Sequence, residues 1–432
     1  MLIAAWLVIV LESAAALYLF RPWAIGDSFH YLLLARNLAD GHYGAVTAAG
    51  FEPDVLRPPG YPLVLYFLLH VLGLPRGAVV AVQLAGICGA IFAVQRHLSA
   101  RGMNPTPFVI LAALYPFPLL YGANLLAESW TIVATTAAAL LLARRSALSY
   151  ALSGAVAALA ALMRSDMLLL PLILAGVIAI HEMRNRSSAA AMGRALLPIG
   201  AAVLVLLPYT AWNYVHFNRA SPAPVAGAVG TSLYLSTWQR ELTWDDIEAI
   251  NARRTTTPHI DAIGLGPAIR QINRSIGAPE NILAFDPWAY PTDHLRIAAA
   301  NEFRRAAVDR IAANPGRYVE HVLHNVWALW VTKRYDGLPP IVGLALATSS
   351  VAVFVLGLAG MGMALVRARN WPLPWLLAPV TLYPAAIHLW LHTEARYTAA
   401  TRLLLVMFAG AMLAWLLTAK RSTEPSGAAA TQ

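Results

Sequence analysis

Ten long apolar runs constrain this chain more than any other feature. They fall near Leu2–Phe20, Gly77–Gln95, Pro107–Tyr121, Leu125–Ala143, Leu148–Met163, Met167–His181, Ala195–Tyr214, Ile341–Val366, Leu373–Leu391 and Thr398–Thr418. A helix needs about 17–25 apolar residues to cross the hydrocarbon core of a bilayer. Inside that core each helix satisfies its own backbone N–H and C=O groups, so runs of this length read as helices. The expected fold class is all-α, a polytopic helical membrane protein with ten spans. Composition agrees: 59% of the 432 residues are hydrophobic and only 12% charged, against about 25% charged in soluble domains.

Loop charge sets the expected orientation. With the amino terminus inside, the inner loops hold Arg96 and Arg101, Arg144 and Arg145, Arg184, Arg186 and Arg194, Arg367 and Arg369, then Lys420 and Arg421. Lys and Arg concentrate in cytoplasmic loops, so this parity places the chain in the cytoplasmic membrane with its other loops outside. Several runs are short and are counted as spans on this charge pattern. Met1–Phe20 lacks the basic start and small-residue cleavage site of a signal peptide, and is read as a helix. Two apolar segments, Tyr61–Gly73 and Tyr318–Val331, are read as interfacial or re-entrant helices. The net charge of +9 is expected from anchoring arginines, since no basic run is interleaved with the aromatics that nucleic-acid binding uses. Cys88 is the single cysteine, which excludes an intrachain disulfide.

The chain divides into four parts. Residues 1–215 form an amino-terminal membrane module whose first external loop spans 21–76. Residues 216–317 form an external region with helical patterning around Trp244–Arg254 and Leu295–Ala313. Residues 318–420 carry an interfacial helix and the last spans, and 421–432 a small polar tail expected to be disordered. The external region is expected to bury little core of its own and to pack on the membrane part as a lid.

Candidate chemistry gathers at the external helix ends. Asp27 follows the first span, and in a helix Asp27, His30, Tyr31 and Leu34 would share one face. A carboxylate beside a histidine suits a base or a metal ligand; the alternative is that Asp27 or Ser28 caps the helix. Arg57 opens the run Arg57-Pro58-Pro59-Gly60-Tyr61-Pro62, a rigid turn that either aims Arg57 at a site or starts an interfacial helix. Arginines on this side are suited to an anionic ligand, or to pairing with Asp40, Glu52 and Asp54. Glu128 and Arg164 lie near external helix ends, where ionisable groups need a partner or a cavity. They pair with each other, or Arg164 with Asp166. Glu12, mid-helix in the first span, has no evident partner.

His388, His392 and Arg396 recur every four residues, followed by Tyr397. On one helix face they would form a phosphate clamp; zinc would need a third ligand. His321, His324, Trp327 and Trp330 share helical spacing, which fits belt anchoring or stacking on sugars. No phosphate-binding Walker loop, dinucleotide fingerprint or HExxH motif is present, which argues against a nucleotide-driven pump.

Taken in order, several stretches resemble the GT-C superfamily of membrane glycosyltransferases, in the group of protein O-mannosyltransferases and aminoarabinose transferases. They are Gly26-Asp27-Ser28 with Tyr31 and Ala35-Arg36-Asn37-Leu38; Arg57-Pro58-Pro59-Gly60-Tyr61-Pro62; Leu126-Ala127-Glu128; Ala160-Ala161-Leu162-Met163-Arg164; Trp212-Asn213-Tyr214 with Phe217; Asn314-Pro315-Gly316-Arg317-Tyr318; and Glu394-Ala395-Arg396-Tyr397. They cover about the whole chain. The resemblance implies a polyprenyl-phosphate-linked sugar donor, inversion at the anomeric carbon, and Asp27 as the base that deprotonates the acceptor. It implies Arg57, Arg164 and Arg396 as holders of the leaving lipid phosphate, with His30, Tyr31, Tyr61, Glu128, His392 and Tyr397 as further substrate-binding candidates. This chain departs from the family in having Ser28 where a second acid often stands, in lacking an arginine before the Trp212-Asn213 pair, and in having no large carboxy-terminal domain. The acceptor (lipid A, a polysaccharide, another lipid or a protein) and any divalent metal stay open. A transporter or flippase of a lipid-linked glycan would use the same arginines without a base. A non-catalytic envelope subunit would need neither Asp27 nor Arg396.

Overall fold

A computed structural model describes residues 1–21, 23–47, 50–184, 186–227, 229–243, 245–246, 249, 258–282, 289–330, 340–366 and 373–423. Most of the segment Trp244–Arg254 that carries the helical patterning, the arginines at 367 and 369, and the tail from 424 onward lie outside these residues.

The chain enters through α1 (Leu2–Leu19). A turn at Gly26, whose φ is +46°, redirects it into α2 (Ser28–Ala39). A short antiparallel hairpin follows, β1 (Gly44–Thr47) with β2 (Gly50–Pro53). Then come α3 (Gly60–Tyr66), continued by a π turn at Phe67–Val71, and α4 (Arg76–Ser99). The run at Pro107–Tyr121 is broken at Pro116 into α5 (Thr106–Ala113) and α6 (Phe117–Gly122), because proline offers no N–H to continue a helix. Next are α7 (Glu128–Leu142), α8 (Ala147–Met163), α9 (Leu170–Met183) and the long α10 (Ser188–Phe217). The region 216–317 holds α11 (Val229–Ser236), α12 (Pro258–Ala262), α13 (Leu265–Ser275) and α14 (Asp293–Ala313). The chain returns through α15 (Pro315–Ala328), α16 (Pro340–Val366), α17 (Leu373–His388) and α18 (Ala399–Thr423).

Among the described residues six helices are long and apolar enough to cross a membrane. They begin at Leu2, Arg76, Ser165, Ser188, Ile341 and Arg396. The segments Gly60–Val71, Glu128–Leu142, Ala147–Met163 and Leu376–His388 are apolar but shorter. The expected ten runs thus resolve into long spans and shorter apolar helices rather than ten equal crossings. The interfacial reading of Tyr318–Val331 fits α15: Val319, Leu323 and Trp327 lie at helical spacing and are all exposed, whereas His321 and Asn325 on another face are buried.

Residues 216–317 bury more than the sequence suggested. Tyr234, Trp238, Ile269, Tyr290 and Phe303 form a core separate from the membrane core. The expectation was of a region with little core of its own; α11, α12, α13 and the 21-residue α14 all contribute side chains to this cluster. The region also rests on the first external loop. Ala226 and Ala300 pack on Val55, and the Ala226 N–H donates to the Val55 carbonyl at 2.9 Å.

In lipid, helices gain little from burying leucine and depend on close backbone approach at small residues. Gly154 is such a point: a Cβ there would lie 2.2 Å from the Pro198 carbonyl oxygen, so α8 and α10 meet only because that Cβ is missing. Gly60 plays the same part between α3 and the Leu162 carbonyl of α8. Gly154→Val should therefore cost about 1–3 kcal/mol of stability through overpacking. Gly176→Val, where a Cβ meets nothing within 4 Å, should be nearly neutral; thermal unfolding in detergent of the two variants checks the contrast.

Candidate active site

Five helix ends and loops deliver one cluster of charge. Asp27 stands just before α2, Arg57 just before α3, Glu128 opens α7, Arg164 closes α8, and Arg396 lies in a 3-10 turn at Ala395–Thr398 ahead of α18. All are ends that the charge pattern assigns to one side of the membrane.

Arg396 is the centre. Its guanidinium reaches the carboxylates of Glu394 at 2.7 Å, Asp27 at 3.3 Å and Glu128 at 3.8 Å. Asp27 is held from its other oxygen by Arg57 at 2.7 Å. Glu128 also takes Arg164 at 2.6 Å, and Arg164 takes Asp166 at 2.9 Å. The alternatives of Arg164 pairing with Glu128 or with Asp166 are thus both realised. Tyr397 lies under the guanidinium groups of Arg164 and Arg396, with ring centroids about 5 Å away.

Asp27 makes no capping hydrogen bond, so the capping role does not apply to its side chain. The Ser28 hydroxyl accepts from the Ile25 N–H instead, which tightens the turn that presents Asp27. Burial alone would push the Asp27 carboxyl up. The cations Arg57 and Arg396 outweigh that effect and the nearby Glu394, and bring it down to about 2.

Arg57 is fixed by its own backbone. Asp54 accepts hydrogen bonds from the Leu56 and Arg57 N–H groups, a turn that Asp readily forms. The Arg57 carbonyl accepts from the hydroxyls of Tyr43 and Tyr209. Asp54 also binds His30 at 2.8 Å, and Arg57 Nε donates to the other nitrogen of that ring at 3.4 Å. His30 is thus a support for Arg57 rather than a partner of Asp27. For Arg57, the alternative of pairing with Asp40, Glu52 and Asp54 gives way to Asp27, which its guanidinium binds at 2.7 Å.

A second His–Asp pair stands on the far side. His388 binds Asp166 at 2.7 Å and stacks on Tyr397 with ring centroids 4.5 Å apart. Each pair backs one of the arginines, Arg57 or Arg164.

The expected face of His388, His392 and Arg396 does not exist. α17 ends at His388, and residues 389–394 run as a non-helical strap before the 3-10 turn. His392 lies on that strap, 3.3 Å from Gln239 and 3.6 Å from Glu394. Tyr61 is fully buried and donates to Gln83 at 2.7 Å, so it supports Tyr31 from behind instead of facing ligand. Tyr31 in turn lies under Arg57. Trp330 is buried against Phe354 and Arg402, which corrects its reading as a belt residue. Among the described residues no three His, Cys, Asp or Glu side chains gather in metal-binding geometry. The two pairs proposed from sequence are drawn apart, His30 to Asp54 and His388 to Asp166. The arrangement does not fit a metal site, and no step below uses one.

Two residues of weight escaped the sequence reading. Glu394 was visible only inside a motif; its carboxyl, against the cost of burial, is held well below the usual range by Arg396 and His392. Arg402 is fully buried in α18. It donates to the Thr398 hydroxyl at 2.7 Å, the Leu329 carbonyl at 2.8 Å and the Ser350 hydroxyl at 3.1 Å, and to the Tyr115 hydroxyl. A guanidinium inside the first turn of an apolar run was the signal that could have found it.

No protein-family model matches the sequence, and no curated relative does. Solved structures match by fold. The archaeal oligosaccharyltransferase AglB from Archaeoglobus fulgidus, solved with an inhibitory peptide and a dolichol-phosphate, aligns with 99% of this chain at 14% identity and a TM-score of 0.51. ArnT from Cupriavidus metallidurans aligns with 94% of the chain when bound to undecaprenyl phosphate (14% identity, 77% of that chain, TM-score 0.40) and with 95% in its apo state (16%, 77%, 0.39). The chain spans about half the length of AglB, covering 52% of it. The fold is similar to that of AglB, and it is almost entirely helical, with six helices among the described residues long and apolar enough to cross a membrane.

The low Asp27 value has a sign that can be tested. A carboxyl whose pKa is lowered on folding contributes stability fully above its unfolded value, about 3.9, and loses it as pH falls through about 2. Arg396→Gln removes one of the two cations and should move that loss upward, toward pH 4. Unfolding temperature measured from pH 2 to 6 for both proteins checks the direction.

Proposed function

We propose that this protein is an inverting glycosyltransferase that moves a sugar from a polyprenyl-phosphate-linked donor to an acceptor hydroxyl at the outer face of the cytoplasmic membrane. The observation that carries the reading is Asp27 held between Arg57 and Arg396, with Arg164 one carboxylate away. The shared fold adds support, since AglB was solved with a dolichol-phosphate.

The reaction asks little of the protein. The acceptor oxygen attacks the anomeric carbon, the bond from that carbon to the phosphate oxygen breaks, and the lipid phosphate leaves with the bonding pair. Asp27 takes the acceptor proton. A single displacement inverts the centre. The phosphate is already a good leaving group, so positioning, one base and cations for the departing charge are enough.

A carboxylate with a pKa near 2 is a poor base. The same arginines explain how it becomes a better one. The donor phosphodiester carries one negative charge, as Asp27 does, but it presents two free oxygens to Arg57 and Arg396 and gains charge as its bond to the sugar breaks. As those guanidinium groups turn to the phosphate, the burial that opposes ionisation of Asp27 is no longer offset, and its proton affinity rises. Base strength is thereby coupled to donor occupancy, and an empty site keeps its carboxylate neutralised. Glu128 and Glu394 keep the arginines placed in the absence of donor.

Asp27→Asn preserves shape and removes the base. Turnover with a polyprenyl-phosphate sugar should fall by about 10²–10⁴-fold, while donor binding is retained or tightened because Arg57 and Arg396 lose a competing carboxylate. A radiolabelled-donor transfer assay beside a binding measurement separates the two. Full turnover in the variant would overturn the assignment; binding without turnover in both proteins would point to carriage of the lipid-linked glycan.

A further inference from the structure

A cavity with charged side chains in its lining lies away from Asp27, between the end of α11, the end of α14 and the start of α15. It encloses about 170 Å³, and its lining includes Arg240, Arg310, Arg317, Glu241, Tyr318 and His321. A water needs only about 10–15 Å³ of such space, so the cavity has room for an oxyanion and part of the group that carries it.

The charge of this cavity is unbalanced. Glu241 is shared by Arg317 at 2.5 Å and Arg310 at 3.3 Å, so one carboxylate serves two guanidinium groups. Arg240 turns outward to Glu320. Arg310 lies over Trp238, its guanidinium carbon 3.4 Å from the ring centroid. Burial pushes the Arg310 guanidinium down despite Glu241. His321 is pushed to about 4 by burial and by His324, His392 and Arg240, so at neutral pH it contributes a hydrogen-bonding ring and no charge. α15 adds the positive end of its dipole. Asn314 caps it by accepting from the Arg317 N–H at 3.1 Å, and Arg317 and Tyr318 lie in its first turn. The motif Asn314-Pro315-Gly316-Arg317-Tyr318 thus has a local purpose: a capped turn that presents Arg317 to the cavity.

The cavity is joined to the reaction site by one strap. The Tyr318 hydroxyl donates to the Trp390 carbonyl, Gln239 donates to the Thr393 hydroxyl at 3.0 Å, and Glu394 at the end of the strap holds Arg396.

We propose that this cavity is a binding site for an oxyanionic group, a phosphate or a carboxylate, carried by the acceptor substrate. The acceptor role rests on the glycosyltransferase reading; the anion binding does not. Tyr318 and Gln239 hold the strap that carries Glu394, so an occupied cavity bears on the placement of Arg396.

The test uses the full chain in nanodiscs of neutral lipid, titrated calorimetrically with glucose 6-phosphate, glucuronate and glucose. Binding of one or both charged sugars, with glucose at least tenfold weaker, is the expected result, and the better ligand identifies the group. Arg310→Gln with Arg317→Gln should weaken that binding tenfold or more. Glu241→Gln, which frees both arginines, should strengthen it several-fold, a direction that a merely structural ion pair would not give. Arg57→Gln should leave it within twofold. Equal binding of charged and neutral sugars, or loss in Arg57→Gln but not in the Arg310/Arg317 variant, would overturn the proposal. These outcomes do not depend on turnover, so a protein without transferase activity would fail the functional reading and still decide this one.

Discussion

The guanidinium of Arg396 among three carboxylates, Glu394, Asp27 and Glu128, is the interaction on which the rest depends. Two unit charges 4 Å apart attract by about 4 kcal/mol at an effective dielectric constant of 20. Removing them from water costs a comparable amount, so such a cluster adds little net stability. What it does is couple elements. Arg396 ties the start of α18 to the loop before α2 and to the first residue of α7, and Arg164 extends the same network to the end of α8. Removing any one member leaves its partners charged, partly buried and short of a counter-ion.

Keeping that cluster in register requires fixed helix ends, and the supports are specific. Asp54 fixes the Arg57 backbone through two N–H groups, while Tyr43 and Tyr209 bind its carbonyl. His388 and Asp166 steady Arg164 from the other side. Arg402, six residues after Arg396, joins α18 to Leu329, Ser350 and Tyr115. A guanidinium can satisfy several acceptors in one plane, which an apolar side chain at that position cannot do. The small residues at Gly154 and Gly60 act at the level below, allowing the helices to approach closely enough for their ends to meet.

Among the described residues, the 216–317 region connects to this cluster through a small apolar contact and a few polar ones. It touches the first loop at Val55 and through Arg296 with Glu52 at 3.7 Å. It touches the strap at 389–394 through Ser232 and Gln239. Contacts of this kind exchange readily with water and leave relative movement open. That suits a site whose arginines must exchange one anionic partner for another.

Sequence by itself determined the helical membrane class, because apolar runs of spanning length admit few structures in lipid. It also placed Asp27, Arg57, Glu128, Arg164 and Arg396 at helix ends on one side, because loop charge fixes parity. Glu128 with Arg164 was legible as a pair for the same reason: two ionisable groups at one depth need each other. Tertiary structure alone decided who meets whom. His388, His392 and Arg396 have perfect helical spacing, yet α17 stops at His388, and the three diverge to Asp166, to Gln239 and to Asp27. His30 and Asp27 are three residues apart, yet Asp54, from the loop after the hairpin, takes the imidazole. Periodicity reports which residues share a face of a helix that continues; it says nothing of where the helix ends or what a chain 200 residues away brings against it. Those pairings depend on the packing of α8, α10 and α18, and packing depends on small residues and crossing geometry that no single segment encodes.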